Sequence, residues 1–106
     1  QQKLHAAVRA YGAADTPVHV LGCCSGAGGS ELDDAMALGA DCFITGEIRH
    51  HEALDAGDKG CWVIEAGHFE TENPVCEVLA AALQNAADAL QYNLTVFCLK
   101  GNPFGR

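Results

Sequence analysis

Apolar residues in this 106-residue chain fall into short unbroken runs, separated by stretches where they recur every three or four positions. The runs "VHVLGCC" (18–24), "DCFIT" (41–45), "CWVIEA" (61–66) and "LTVFCL" (94–99) each read as a strand. They are continuous and do not alternate with polar residues. Such runs suit strands covered on both faces, the mark of a largely parallel sheet. Between them, Ser30–Gly39 reads as a helix with Ser30 as N-cap and Leu32, Ala35, Met36 and Gly39 on one face. Gly46 ends the second strand, and Glu47–Ala56 reads as a short helix. Asn73-Pro74 opens a longer one, since Pro suits the first helical position. Val75, Val78, Leu79, Ala82, Leu83 and Ala86 make its apolar stripe.

Strands alternating with helices predict an α/β fold: one mixed, largely parallel four-stranded sheet flanked by helices. The first three strands are expected to be parallel, joined by right-handed crossovers. The fourth is expected at an edge, in either direction, or exchanged with a partner. Phe43, Ile44, Val63, Ile64, Leu79, Leu83, Val96 and Phe97 are the expected core. Residues 1–106 read as a single domain. The only candidate boundary is Gly12–Pro17, joining an amphipathic first helix to the first strand.

Charge narrows the partners. The chain carries 14 acids against 6 Lys and Arg, for a net charge of −8. That balance argues against nucleic acid, whose phosphates need a basic face. No run approaches the roughly 20 apolar residues of a membrane helix. Gln1–Ala10 does not read as a signal peptide, and the expected location is cytoplasmic. Six cysteines raise the question of a disulfide framework. Cys42, Cys61 and Cys98 lie inside apolar runs, adjacent Cys23 and Cys24 would form a strained ring, and no Cys-x-x-Cys occurs. The reading is free, mostly buried thiols in an intracellular protein.

Three stretches carry candidate chemistry. "CSGAGGS" (24–30) follows a strand and opens a helix, where phosphates often bind. It does not complete G-x-G-x-x-G, because Glu31 stands at the last glycine, and no Gly-Lys-Ser/Thr follows. Glu31, Asp33 and Asp34 already complement the helix dipole and would repel a phosphate. No phosphate site is expected there. Gly28→Ala or Gly29→Ala is expected to cost ~1 kcal/mol or more if φ is positive at that residue. "TGEIRHHEALDA" (45–56) holds His50 and His51. Adjacent residues lie ~100° apart on a helix, so both are not expected to bind one ion. Glu47, His50 and His51 form a secondary candidate site; pairing of His51 with Asp55 is the structural alternative. "EAGHFETEN" (65–73) sets His68 four residues before Glu72, at the carboxyl end of the third strand. Ligands in open α/β sheets bind at that edge. A His–Glu pair suits zinc, iron or manganese. Pro74 suggests a segment that is mostly loop, and helix-capping acids beside a loop histidine are the alternative reading.

The order of these motifs resembles the carboxy-terminal half of the Nif-three-like family, the type-two GTP cyclohydrolase I homologues. The carrying residues are "GAD-x-x-ITGE-x-x-HHEALDA" (39–56), "GH-x-x-TE" (67–72) and "NPF" (102–104), and the resemblance covers residues 18–104. It implies a two-metal centre assembled from both halves of a longer chain. Its early His-His-Pro and Asp come from the amino-terminal half, and the His and Glu of Gly-His-x-x-Thr-Glu come from this half. Carried over, His68 and Glu72 are the metal ligands, with Thr71 matching between them. This sequence contains no His-His-Pro, so the site for divalent zinc, iron or manganese is incomplete in it.

The resemblance also implies a homo-oligomer, ring-shaped in the family. It further implies a metal-dependent hydrolase of the GTP cyclohydrolase type, acting on a nucleotide or other small molecule. A non-catalytic protein-interaction or assembly module, with a structural metal or none, is the alternative. An open metal position facing a pocket would favour the enzyme; a closed shell would favour the module.

Overall fold

The computed structural model describes residues 4–13 and 15–101. The "NPF" motif lies outside them. The chain divides into two compact units, Gln1–Thr71 and Glu72–Arg106.

The first unit holds the sheet. Its elements are β1 (Arg9–Tyr11), β2 (Leu21–Ala27), a 3-10 turn (Gly29–Glu31), α1 (Leu32–Ala37), β3 (Cys42–Glu47), α2 (His50–Asp58) and β4 (Trp62–Glu65). The short helix α3 (His68–Glu72) follows. The strand order is β1-β4-β3-β2. β2, β3 and β4 are parallel, and β1 adds antiparallel to β4 with Arg9 opposite Glu65. The mixed, largely parallel four-stranded α/β sheet is therefore present, with one strand differently chosen. Residues 94–99 form no strand, and the fourth position is taken by Arg9–Tyr11. Three residues carry too little pattern to be read as a strand. This one is held by its ladder, by the Arg9–Glu65 ion pair at 3.6 Å, and by Tyr11 donating to Glu65 at 3.5 Å.

Element boundaries shift for identifiable reasons. β2 begins at Leu21, not at Val18, because the His19 and Val20 amides donate to the Asp41 carboxylate instead of to a ladder. It then runs on through Ser25–Ala27, into the glycine stretch, with a register shift between Cys24 and Ala27. β3 likewise passes through Gly46 to Glu47, so α2 starts at His50 and not at Glu47. Ser30 caps no helix; its hydroxyl donates to Glu31 at 3.0 Å and it sits in the 3-10 turn.

The core gathers Leu32, Phe43, Ala53, Ala56, Cys61 and Val63, with Tyr11, Cys24, Ala35, Met36 and Ile48 packed around it. Phe43 and Val63 are buried as expected, and Ile44 and Ile64 are half-buried. The buried polar side chain here is Thr45, whose hydroxyl accepts from the Gly28 amide at 2.9 Å and donates to the Gly26 carbonyl at 3.1 Å. A fully buried hydroxyl thus has both its roles satisfied, as burial requires.

In the second unit, α4 (Pro74–Ala89) begins at Pro74 as expected. Asn73 is itself helical, with φ −56° and ψ −33°, so it does not cap with its side chain. Irregular chain follows α4, and Gln84 ties it back. Its side chain donates to the Leu94 carbonyl at 3.1 Å and accepts from the Val96 amide at 2.8 Å. Leu79, Leu83 and Phe97 are exposed, contrary to expectation, and Val96 is half-buried.

All six cysteines are free. Only Cys42 and Cys61 are buried, so the thiols are not mostly buried as expected. Burial pushes both of those thiols above their ordinary pKa. Among the described residues no helix is long and apolar enough to cross a membrane.

Candidate functional site

The carboxyl ends of β2, β3 and β4 lie at one edge of the sheet, where parallel strands direct their loops. β4 leaves that edge through Ala66 and Gly67, whose amides donate to the Thr45 and Gly46 carbonyls at 2.8 and 2.9 Å. These bonds extend the β3–β4 pairing past the strand and fix where α3 starts. Gly67 has φ +92°, a conformation open to glycine, and it turns the chain directly into His68. Gly46 is required for another reason. A Cβ there would meet the Gly26 carbonyl at 2.6 Å, the Thr71 hydroxyl at 2.7 Å and the His68 Cα at 2.8 Å. The sheet edge and α3 therefore meet backbone to backbone.

Thr71 fastens the same place. Its hydroxyl accepts from the Gly26 amide at 3.1 Å and lies 2.9 and 3.1 Å from the Gly67 and His68 carbonyls. Together with Thr45, it uses two amides of the glycine stretch, those of Gly26 and Gly28.

His68 opens α3 and Glu72 closes it. The segment is thus helical, not mostly loop, and the four-residue spacing is that of positions one turn apart on a common helix face. His68 is half-exposed, and its Nδ1 lies 3.3 Å from Glu47 Oε1. Glu47 comes from the end of β3, 21 residues earlier in the chain. The sequence groups it with His50 and His51, but the structure sets it beside His68. His50 instead meets Tyr11 edge-on, ring centres 6.0 Å apart, and both His50 and His51 are exposed on α2.

A cleft of about 450 Å³ opens next to Glu47, lined by Ala27, Gly29, Ser30, Ile48, Arg49 and Glu52 as well. That is the size of a small-molecule site. Glu52 accepts from the Arg49 amide at 3.2 Å and so also closes the first turn of α2. The cleft is not legible in the sequence, because its walls come from two segments 17 residues apart in the chain, 27–30 and 47–52. The available signal was that both segments carry the motifs quoted above.

The donors suit a divalent ion by chemistry: an imidazole and carboxylates are ligands for zinc, iron or manganese. Their number is short. Among the described residues, no group of three or more His, Cys, Asp or Glu side chains stands close enough to hold a metal ion.

Comparison with known proteins gives a consistent answer. The family model described as Duf34/NIF3 (NGG1p interacting factor 3) matches residues 1–103. A GTP cyclohydrolase 1 type 2 homolog of Clostridium acetobutylicum is 30% identical over 95 residues, 90% of this chain and 35% of that protein. NIF3-like protein 1 of Rattus norvegicus is 40% identical over 75 residues, covering 67% of this chain and 19% of its own length. The crystal structure of Staphylococcus aureus hypothetical protein SA1388 superposes with a TM-score of 0.87 at 31% identity, over 96% of this chain and 34% of that one. A Bacillus cereus protein related to NIF3 gives 0.86 at 28% identity, over 97% and 29%. The chain spans about a third of the length of the bacterial relatives it matches. With its sheet, its Gly-His-x-x-Thr-Glu segment and these matches in agreement, the chain belongs to the Duf34/NIF3 family.

Proposed function

We propose that this chain supplies His68 and Glu72 as one half of a two-metal centre in a metal-dependent hydrolase of the GTP cyclohydrolase type. The observation that carries the reading is the placement of the Gly-His-x-x-Thr-Glu segment. It starts at the carboxyl edge of three parallel strands and is anchored by Gly46, Gly67 and Thr71. A catalytic metal commonly takes three protein ligands and keeps one position open. Two ligands therefore fit half a centre, and the remaining ligands come from outside this sequence. A bound divalent ion supplies a water molecule acidic enough to act as a nucleophile near neutral pH. Glu47 serves as the acceptor that orients the His68 ring through Nδ1, the part a carboxylate commonly plays for a ligating histidine. The cleft beside Glu47 takes the substrate, a nucleotide or other small molecule. The glycine stretch does not bind phosphate; two of its amides already serve threonine hydroxyls. The protein works in the cytoplasm as a homo-oligomer.

A second reading has its own support. α4 exposes Val75, Val78, Leu79 and Leu83, which suits a non-catalytic assembly module.

Metal analysis of the full-length protein separates the two readings. The hydrolase reading expects tight zinc, iron or manganese binding that His68→Ala and Glu72→Ala each reduce. Unchanged metal content in both variants would leave the pair as an ordinary helix turn and favour the module. Glu47→Gln is expected to lower occupancy less than either ligand variant, since it removes an orienting contact and not a ligand.

A further inference from the structure

Two thiols of the second unit stand together. The Cys98 thiol donates to the carbonyl oxygen of Cys76, with sulfur and oxygen 3.0 Å apart. The segment that carries Cys98 is held over α4 on both sides. Gln84 grips it at Leu94 and Val96, and the Lys100 ammonium pairs with the Glu77 carboxylate. Cys98 is thus confined between two anchors, above the first turns of the helix.

That contact limits how far apart the two side chains are. The Cys76 carbonyl oxygen is three bonds from that residue's own Cβ, at most about 3.5 Å away. Cys98 Sγ therefore lies within about 6.5 Å of Cys76 Cβ. In a disulfide that sulfur sits about 3 Å from the partner's Cβ, one S–S bond beyond the partner's own sulfur. Rotation of the Cys98 thiol about χ1, with a small slide of the segment, closes the difference. No β-ladder opposes the slide, because residues 93–101 belong to no helix or strand. Both thiols are within reach of solvent: Cys76 is exposed and Cys98 half-buried. Cys42 and Cys61, by contrast, are only 2% and 1% exposed.

We propose that Cys76 and Cys98 form a redox modification site, a dithiol that closes to an intramolecular disulfide when oxidised by a peroxide. The thiolate of Cys76, the more exposed of the two, attacks one peroxide oxygen. The O–O bond breaks, the second oxygen leaves as hydroxide and is protonated to water, and Cys76 becomes a sulfenic acid. The Cys98 thiolate then attacks the Cys76 sulfur. The S–S bond forms, the S–O bond breaks, and the departing hydroxide takes up a proton as a second water. Two thiols lose two electrons and two protons, and one peroxide is reduced to two waters. The product staples the segment after α4 to the start of that helix.

The test treats the reduced protein with hydrogen peroxide, blocks remaining thiols by alkylation and maps the digest by mass spectrometry without reductant. The expected result is loss of two of the six thiols, loss of the mass of two hydrogen atoms, and one cross-linked peptide pair joining Cys76 to Cys98. Dithiothreitol restores all the thiols. Cys98→Ser is expected to leave a trappable sulfenic acid at Cys76, and Cys76→Ser to abolish the cross-link. Cys24→Ser, outside the pair, is expected to leave the cross-link yield unchanged. Circular dichroism of each variant verifies that it is folded, and Cys98→Ala replaces the serine variant if that one is not. A cross-link between other cysteines, dimers joined through Cys76, or survival of every thiol would overturn the assignment.

Discussion

The two units of this chain treat similar apolar sequence in opposite ways. In the first, the runs around Phe43 and Val63 disappear from solvent, with 2% and 0% exposure. In the second, Leu79 and Leu83 occupy an equally regular apolar stripe, yet remain 56% and 51% exposed. Among its described residues Ala87 is the buried apolar one. Both patterns predict core. A period of 3.6 identifies which residues of a helix share a face; it does not supply the surface that covers them. Strand runs differ, because Phe43 and Val63 lie on the two inner strands of the sheet, and Leu32 of α1 with Ala53 and Ala56 of α2 packs against them.

The sharpest way to break this contrast is truncation in each unit. Phe43→Ala is expected to cost about 3–5 kcal/mol, the range for removing a buried aromatic side chain. Leu79→Ala in the same chain is expected to stay within about 0.5 kcal/mol, as for an exposed position. Urea unfolding of both variants measures the difference. A cost at Leu79 approaching that at Phe43 would mean that the α4 face is covered in solution, and a shift of mass in sedimentation would show by what.

Backbone crowding gives the next effect. Gly46→Ala forces a Cβ to within 2.6 Å of the Gly26 carbonyl and is expected to cost about 1–3 kcal/mol. Gly57→Ala, on α2 with nothing within 4 Å of its added Cβ, is expected to gain up to about 1 kcal/mol from helix propensity. If Gly46→Ala were as harmless as Gly57→Ala, the close approach of sheet edge and α3 would be wrong.

Buried thiols also set the units apart. Burial raises the Cys42 and Cys61 pKa above the ordinary 9.0, with the Asp41 charge adding to it. The folded state then holds these protons at pH values where the unfolded chain has released them. The stability they contribute is complete below pH 9.0 and is lost as pH rises from there through the folded values. A plot of melting temperature against alkaline pH is expected to fall less steeply in the Cys42→Ala/Cys61→Ala double variant.

The smallest effects are at two carboxylates, half-buried Asp41 in the first unit and exposed Glu77 in the second. The His19 and Val20 amides hold Asp41 below its ordinary 3.8, and Lys100 holds Glu77 below its ordinary 4.5. Each contributes stability above the ordinary value that is lost as pH falls through the depressed one. Solvent screening keeps both contributions small. Asp41→Asn and Glu77→Gln should each flatten the acid limb slightly. A larger change from Glu77→Gln than from Gly46→Ala would reverse the ranking of the two units.

The sequence by itself determined three parallel strands, the helix opening at Pro74 and the Gly-His-x-x-Thr-Glu segment. All of these depend on local composition: unbroken apolar runs, a proline at a first helical position, a motif of fixed spacing. Tertiary structure alone decided the rest. The fourth strand is Arg9–Tyr11 because a free edge of β4 accepts three unremarkable residues through backbone bonds, which need no side-chain pattern. The run at 94–99, with ample β-propensity, pairs with no strand and is held by Gln84 and Lys100 instead. Glu47 reaches His68, and not His50 or His51, because β3 stays extended through Gly46. Parallel pairing then brings the end of β3 beside the turn leaving β4. Neighbouring strands run about 4.8 Å apart, so residues remote in sequence come side by side there. A helix beginning at Glu47 would have turned that carboxylate toward the histidines of α2, and only the sheet's hydrogen bonding, invisible in composition, decides between the two.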